Sequence, residues 1–550
     1  MKKLNITIFS GGSGNIELLS ILNDLKNKNL INLNLLINGY DDGKSTGFLR
    51  ELFPTMLGPS DFRKNCENLL NLKIHEHRVL KQIISYRFKD FINYRIFIAN
   101  ILNKDLINQK TEPLKELNWN KFFLLRDYLK KFNEALVKKK FKKERFKDIS
   151  LGNIIFVGIY LNFNKNFNLA IREYNNFFGN SNSIHNITNG QNLFLCGIAE
   201  SGQILKNEVD IIENKIKEKI SEIFLIKEPL LKKQLFKLKK LQIEDKINYL
   251  RKIEIFPKIN KDAIDVLKKT NILIYGAGTQ NSSLFPSYLT RNLNEIIRKS
   301  KAKKIFISNI FKDYDIVKES TSSIIEKFKF YVNKKNKSKR FDIKKYINYL
   351  FIHNYDNKDL NKIDQKKYLK NDLKKNKNII ELDWEKNKGV HFSNLVVERI
   401  LKIVKKQNII KNIYFQTVSI IIPCLNERKK LKKVLNKIQD FKYSNPEYIF
   451  DIILIDGGSH DGSLKIAKGF KDIRIFQIKN GLRGECIDLG IQKSRGQIII
   501  TFPSDDEYDV SEIKKLILEI EKNKQSVVYG SRLIKVLQPS SLIKKVYKNN

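Results

Sequence analysis

Short apolar runs alternate with stretches of helical periodicity from the first residues onward. The run NITIF at 5–9 leads through a glycine turn into IELLSILNDLKNK and then LNLLIN at 33–38, a pattern that predicts a strand, a helix and a second strand in a parallel sheet. Residues from about 90 to 148 and from about 205 to 253 read as long, lysine-heavy amphipathic stretches and are expected to form helical layers or insertions. The α/β alternation resumes near 270 with NILIYG, then SYLTRNLNEIIRKSK, then KKIFISNI. The segment 331–380 is rich in Lys, Asn and Asp and reads as a loop or insertion. After FSNLVVERILKIVKKQ the chain enters VSIIIPCLNE at Val418, which places a boundary near 408–416. The expected fold is α/β throughout. A parallel-sheet domain with helical insertions is expected over 1–410, and a second α/β domain over 417–550.

Length and composition agree with two folded domains: 550 residues, 42% hydrophobic and 29% charged, exclude both a small disulfide scaffold and a wholly disordered chain. The formal net charge of +44 would attract nucleic acid, anionic lipid or phosphorylated substrates. The lysines nevertheless run with Asn and Ile through nearly every segment, so a chain-wide drift accounts for much of the surplus. The basic segments lack interleaved aromatic platforms, and no helix-turn-helix or zinc module appears, so no specific nucleic-acid partner is expected. Cys66, Cys196, Cys424 and Cys486 are too widely spaced for a CxxC pair and suit a reducing compartment. The apolar run at the start is broken by glycines, and no segment approaches 18 uninterrupted apolar residues, so a cytoplasmic protein without a transmembrane segment is expected. A homo-oligomer is compatible with the sequence. His75 and His77 fall on different faces of a helical pattern and are expected at the surface without a metal, and no other histidine is given a ligand role.

In the first domain the turn Gly11-Gly12-Ser13-Gly14-Asn15 lies between a strand and a helix, where backbone amides and the helix N-terminus favour an anion. Glu17 stands where a third glycine would complete a dinucleotide fingerprint, so a plain tight turn is equally open. The next strand ends in Asn38-Gly39-Tyr40-Asp41-Asp42-Gly43-Lys44-Ser45-Thr46-Gly47, with two carboxylates where open α/β sheets bind ligands; the plainer reading is that both aspartates cap the following helix. Six motifs in order, GGSGN, DDGKSTGFLREL, LGPSDFRKNCENLL, YRF, SLGN at 150–153 and YGAGTQNSSLFPSYLT from Tyr275, resemble those of the 2-phospho-L-lactate transferase (CofD-like) and gluconeogenesis-factor superfamily over about 400 residues. The resemblance implies a Rossmann-like protein that binds a nucleotide-linked ligand, and the run at Pro59-Ser60-Asp61-Phe62-Arg63-Lys64-Asn65 is closer to the nucleotide-sugar-binding branch. It further implies phosphate held by Gly12, Ser13 and Gly14, Asp41 and Asp42 at the reacting or ribosyl end, and Asn153 lining the pocket. A second phosphate loop would comprise Gly276, Gly278, Thr279 and Ser283. Lys44 and Gln280-Asn281 depart from the family pattern.

In the second domain three apolar strands end in polar clusters: Pro423 with Asn426-Glu427, Asp456 with a glycine–serine turn, and Pro503-Ser504-Asp505-Asp506-Glu507. Such strand ends describe a nucleotide crevice at the top of a parallel sheet. VSIIIPCLNE, DGGSHDGS, NGLRGECIDLGIQKSRG and the acidic run resemble the family 2 glycosyltransferases. The resemblance implies Pro423, Asn426 and Glu427 around the base, Asp456 on uracil or ribose, Arg483 near the diphosphate, and Mg²⁺ or Mn²⁺ on Asp505 with Asp506 as the alternate ligand. The first aspartate of the family's DxD is missing. Gly530-Ser531-Arg532 resembles the polyprenyl-phosphate branch and suggests a lipid-phosphate acceptor. Only 44 residues follow Asp506, so either the catalytic domain is abbreviated or this half binds a sugar nucleotide without turning it over, and no catalytic base is named.

The sequence therefore points to a glycosyltransferase that uses a nucleotide-diphosphate sugar, fused to a CofD-like domain, with Asp41, Asp42 and Asp505 as the catalytic candidates. Two alternatives stand beside it: transfer of a phosphate-linked group by the first domain with the second as accessory, and a nucleotide-sugar sensor without turnover.

Overall fold

A computed structural model describes residues 3–12, 14–72, 74–103, 114–180, 183–215, 217–335, 341–353, 363, 378–382, 385–387, 390–391, 393–406, 409, 417–445, 448–470, 472–523 and 527–528. The chain divides into two units, Met1–Ile413 and Tyr414–Asn550.

In unit 1, strands β1 (Leu4–Phe9), β2 (Ile31–Ile37) and β3 (Ile184–Asn186) lie in one sheet with β7 (Ile272–Tyr275), β8 (Lys303–Ile307), β9 (Tyr349–His353) and β10 (Ile379–Leu382). The order is β10-β9-β8-β7-β1-β2-β3, and every pairing is parallel. The central strands are short apolar runs buried on both faces, Ile6, Ile8, Phe9, Leu35, Leu36, Ile272 and Ile274 among them, as a sheet covered by helices on two sides requires. Helices Phe91–Leu102 and Trp119–Val137 form the expected helical layer, the first without a lysine and the second carrying Lys121, Lys130 and Lys131.

The stretch 205–253 departs from the helical expectation. It holds β6 (Ile220–Ile226), which pairs antiparallel with β4 (Phe194–Ala199), itself paired with β5 (Ile204–Leu205). Helices Lys232–Lys239 and Ile243–Ile253 pack Leu238 and Leu250 against Cys196, Ile198, Phe224 and Ile226 of this small sheet. The run ISEIFLI is too short and too apolar for an amphipathic helix, and the lysines on either side mask it in a composition-based reading. The 331–380 segment likewise contains a buried strand, β9, and part of β10 at the sheet edge, in place of a loop alone. A hairpin of β11 (Glu385–Asn387) and β12 (Val390–His391) follows.

Unit 2 is built on β13 (Thr417–Cys424), β14 (Ile449–Asp456), β15 (Ile473–Gln477) and β16 (Ile498–Thr501), all parallel in the order β15-β14-β13-β16. Its core gathers Val418, Ile420, Ile422, Leu431, Val434, Leu435, Ile438, Ile452 and Leu454 between the sheet and the helix Arg428–Ser444. All four cysteines of the chain are buried and free. No described helix is long and apolar enough to cross a membrane.

Candidate functional sites at the carboxyl ends of two parallel sheets

In unit 1 the neighbouring strands β1 and β7 send their connections to opposite sides, toward β2 and β8, so a crevice opens between their carboxyl ends. The two glycine turns predicted as separate phosphate loops meet there. A Cβ on Gly14 would lie 2.5 Å from the Gly278 Cα and 2.6 Å from the Ala277 carbonyl, and one on Gly276 would lie 2.3 Å from the Asn15 side chain. Only residues without side chains let the two backbones approach so closely. Thr279 Oγ1 donates to Ser283 Oγ at 2.8 Å, and a Cβ on Gly11 would meet Ser283 Cβ at 2.6 Å. Ser13 lies outside the described residues. Beyond Thr279, the Asp315 carboxylate accepts the amides of Asn281 and Ser282 at 2.9 and 2.8 Å, so these amides already have a partner.

The aspartate loop closes over the same region. Asp41 accepts from the Gly43 amide at 3.1 Å and from Thr46 Oγ1 at 2.7 Å, which orders the start of helix Lys44–Leu52. The Thr46 and Ser60 hydroxyls are hydrogen-bonded, and Asn153 Nδ2 donates to Ser60 Oγ at 3.1 Å, so Asn153 reaches Asp41 through two hydroxyls. Asn153 Oδ1 is buried without a partner. Asp42 faces the buried Arg50 guanidinium at 3.7 Å, and Arg50 also donates to the Leu193 carbonyl at 2.7 Å and Asn192 Oδ1 at 2.9 Å. Burial raises the Asp42 carboxyl above the ordinary carboxylate range against the pull of Arg50.

Three polar residues of this crevice carry no role in the sequence reading. Glu208, 4% exposed, accepts the Asp42 amide at 3.3 Å; burial, reinforced by Asp41 and Asp61, pushes it up to about 9. Lys64 pairs with Asp61 at 3.5 Å and reaches over the first glycine turn, where a Cβ on Gly12 would meet its Nζ at 2.8 Å. Asp61 raises the Lys64 ammonium, which therefore stays charged, while burial raises Asp61. Asp61 and Lys64 lie inside the run Pro59-Ser60-Asp61-Phe62-Arg63-Lys64-Asn65. Glu208 lies in the segment read as a helical insertion, and nothing in the local pattern marks it. The crevice thus sets backbone amides and one ammonium beside a group of carboxyls, an arrangement suited to a phosphate with a hydroxylated moiety next to it.

His75 is exposed and pairs with Glu116 at 2.9 Å. His77 corrects the surface expectation: it is half-buried, and its Nδ1 accepts the Asn71 amide at 2.9 Å, a structural role inside the turn before its helix.

In unit 2, β13 is flanked by β14 and β16, and a second crevice opens at its carboxyl end. Asn426 adopts a left-handed φ of 56°, donating its amide to Ser459 Oγ and accepting the His460 amide through Oδ1, each at 2.9 Å. Arg428 N–H donates to Asp461 Oδ2 at 2.8 Å, so the loops after β13 and β14 are laced together. Glu427 sits between them at the start of helix Arg428–Ser444. Asp456 is fully buried; its Oδ2 accepts from Gln477 Nε2 at 3.1 Å and the Ser459 amide at 3.3 Å, while Oδ1 has no partner among the described residues. A buried carboxylate oxygen without a donor is costly, which marks a place where a ligand donor would fit. Pro423 accepts Ser504 Oγ at 2.8 Å, joining β13 to the acidic loop, and Arg483 is exposed at the start of helix Arg483–Lys493.

The two acids proposed for a metal differ. Among the described residues Asp505 accepts only the Glu507 amide, at 3.2 Å, whereas both oxygens of Asp506 are held at 2.6 Å, by Lys433 and Lys437, which pull its carboxyl below the ordinary range. Among the described residues no group of three or more His, Cys, Asp or Glu is arranged to hold a metal ion. Gly530-Ser531-Arg532 lie outside the described residues.

Comparison with known proteins matches both units. The family model for 2-phospho-L-lactate transferase CofD matches residues 6–401, and that for glycosyl transferase family 2 matches 419–541. A gluconeogenesis-factor protein of Aquifex aeolicus is 23% identical over 313 residues, 56% of this chain and 68% of the relative. A dolichyl-phosphate β-glucosyltransferase of Trichomonas vaginalis is 29% identical over 130 residues, 21% of this chain and 40% of its own length. A UDP-N-acetylglucosamine–dolichyl-phosphate N-acetylglucosaminyltransferase of Methanococcus voltae is 30% identical over 137 residues, 21% of this chain and 52% of its own. The chain thus spans about half or less of these two transferases. With a family model over most of its length and a second over the remainder, the chain belongs to the CofD family and carries a family 2 glycosyltransferase domain after it.

Proposed function

We propose that unit 2 transfers a sugar from a nucleoside diphosphate to a lipid phosphate, and that the unit 1 crevice binds a nucleotide-linked ligand. The observation that carries the first part is Asp456, buried at the end of β14 with one oxygen unpartnered and framed by the laced turns after β13 and β14. A uracil imide or a ribose hydroxyl would supply the missing donor. Pro423, Asn426 and Glu427 line the base side, and Arg483 is exposed where a guanidinium can meet diphosphate oxygens. The relatives that act on dolichyl phosphate, one of them with UDP-N-acetylglucosamine, support this donor and acceptor chemistry.

The residues fit one divalent ion of the Mg²⁺ or Mn²⁺ type. Asp505 keeps a carboxylate free of lysine, Asp506 does not, and the diphosphate itself brings further oxygens. Such an ion would offset charge on the departing nucleotide, worth several kcal/mol, or more than about a hundredfold in rate. In unit 1 the glycine turns and Lys64 would hold phosphate, with Asp41 and Asp42 turned toward the group beyond it.

The test is transfer by the full chain from labelled UDP-N-acetylglucosamine with Mn²⁺ to a short-chain polyprenyl phosphate. Asp505→Asn should lower transfer by about a hundredfold or more with an unchanged thermal unfolding curve. Full activity in that variant removes Asp505 from the metal role. Asp456→Ala and Gly14→Val, each in the full chain, then assign nucleotide release to one crevice or the other; release abolished by Gly14→Val alone would favour unit 1 as the catalyst.

A further inference from the structure

We propose that the lysine face of the helix Arg428–Ser444, with Leu425 and Tyr508 beside it, docks unit 2 on an anionic phospholipid surface. The helix carries Arg428, Lys429, Lys430, Lys432, Lys433, Lys437 and Lys442 against a single acid, Asp440. Its other side, Leu431, Val434, Leu435, Ile438 and Phe441, is buried against the sheet, so Arg428, Lys429, Lys430, Lys432, Lys433 and Lys437 are gathered on the outward face, whereas Lys442 is half-buried and pairs with Asp472 at 3.0 Å. Lys429, Lys430 and Lys432 are exposed and make no ion pair among the described residues.

The face is not only charged. Leu425, three residues before the helix, is 53% exposed, and Tyr508 is 39% exposed. Tyr508 packs edge-on against Phe502 and follows by two residues Asp506, which Lys433 and Lys437 tie to the helix. Exposed apolar side chains bordering a lysine-rich helix form an interfacial pattern: the cations meet lipid phosphates and the apolar tips enter the acyl boundary. An exposed leucine adds affinity for acyl chains and none for the phosphodiesters of a nucleic acid. The helix begins just after Glu427, at the mouth of the crevice, so docking by this face sets the mouth at the level of lipid headgroups. The proposal rests on the reading of unit 2 as a lipid-phosphate transferase only for the use to which docking is put.

The experiment is co-sedimentation of the full chain with vesicles, read without turnover, so docking and transfer can fail separately. Vesicles containing about one part phosphatidylglycerol in four should bind the chain at low salt and release it as ionic strength rises. Each lysine near such a surface contributes roughly fivefold in affinity, so Lys429→Glu/Lys430→Glu/Lys432→Glu should weaken binding by about a hundredfold or more. Leu425→Asp should weaken it several-fold even at low salt. The control reverses three exposed lysines of unit 1, Lys268, Lys269 and Lys301, and should change vesicle affinity by less than a tenth as much. Equal losses from the two triple variants would show attraction by the overall +44 and overturn the proposal. So would equal binding to pure phosphatidylcholine, or binding of RNA but not vesicles through Lys429, Lys430 and Lys432. Unchanged unfolding curves keep the comparison valid; if the triple reversal unfolds the chain, Lys429→Gln/Lys430→Gln/Lys432→Gln replaces it, with a loss of at least tenfold expected.

Discussion

The two crevices occupy the same topological place, the carboxyl end of a parallel sheet beside a strand whose neighbours diverge, yet they manage charge in opposite ways. In unit 1 the carboxyls of Asp61 and Glu208 are buried and that of Asp42 is half-buried against Arg50, with Lys64 beside Asp61, and burial raises all three. In unit 2 only Asp456 is fully buried; Asp505 and Asp506 stand on a loop in contact with solvent, and Asp506 is held ionised by two flexible lysines. The difference separates two physical regimes. The unit 1 site should respond to packing and pH, because Asp61 and Glu208 are buried and little water reaches them. The acidic loop of unit 2 should respond to salt and added cations, because its interactions are screened.

The largest effect is expected where backbone meets backbone. Gly14→Val would force a branched side chain into the Gly278 Cα and the Ala277 carbonyl, neither of which can rotate away. Overpacking of this kind costs about 1–3 kcal/mol, and it would part β1 from β7 at the ligand site. Thermal unfolding of unit 1 should shift down and ligand binding there should be lost in calorimetry. Gly12→Val meets only the Asp61 carboxylate and the end of Lys64, which can swing, so it should weaken ligand binding with less damage to stability. In unit 2, Gly484 has nothing within 4 Å of an added Cβ, and Gly484→Val should leave unit 2 stability unchanged to within about 1 kcal/mol, the cost of a β-branched residue in a helix. A Gly14→Val chain that unfolds like the parent would remove the close approach from the account of this site.

The contrast between the two sites also explains what the sequence made legible. The parallel sheets were readable because strands buried on both faces are unbroken apolar runs, and NITIF, NILIYG and VSIIIPC stand out even in a lysine-rich chain. The glycine turns and the strand-end acids were readable because their chemistry is local. Glu208 was not: it acts from an antiparallel lobe whose strand ISEIFLI lies among lysines, and only tertiary packing brings it to the Asp42 amide. The joining of the two glycine turns into one crevice was also hidden, since Gly14 and Gly278 are 264 residues apart and no spacing rule links them. In unit 2 the candidate acids were found, but the lysine clamp that distinguishes Asp506 from Asp505 depends on the register of a helix some 70 residues earlier.

A smaller effect, specific to the buried regime, is expected from pH. The Glu208 carboxyl rises from its ordinary value of 4.5 to about 9 on folding, so between these values the folded chain holds a proton that the unfolded chain has released. Stability contributed by this group is therefore full below pH 4.5 and is lost progressively as pH rises toward about 9. Glu208→Gln keeps the shape and an acceptor oxygen for the Asp42 amide but removes the titration. It should flatten this part of the pH–stability curve, with little change near pH 4 and a gain on the order of 1–3 kcal/mol near pH 8. Denaturant unfolding at a series of pH values measures it. A parallel curve for variant and parent would show that Glu208 is ionised in the folded chain and that the burial argument fails at this residue.

The smallest effect on stability, and the sharpest on the comparison, is expected from Lys433→Met/Lys437→Met. The lysines of these ion pairs are exposed to solvent and salt, so their removal should leave the unfolding curve unchanged and should not alter any pH dependence assigned to unit 1. It would, however, release both oxygens of Asp506 beside Asp505 on the same loop. If the lysines are what keeps Asp506 from a cation, the double variant should bind Mn²⁺ several-fold more tightly in titration calorimetry with UDP present, and high salt should move the parent in the same direction. Lower Mn²⁺ affinity in the variant would mean instead that the clamp orders the loop for Asp505. The acidic loop of unit 2 would then depend on fixed geometry in the way that the buried crevice of unit 1 does, and the distinction between the two regimes would narrow to solvent exposure alone.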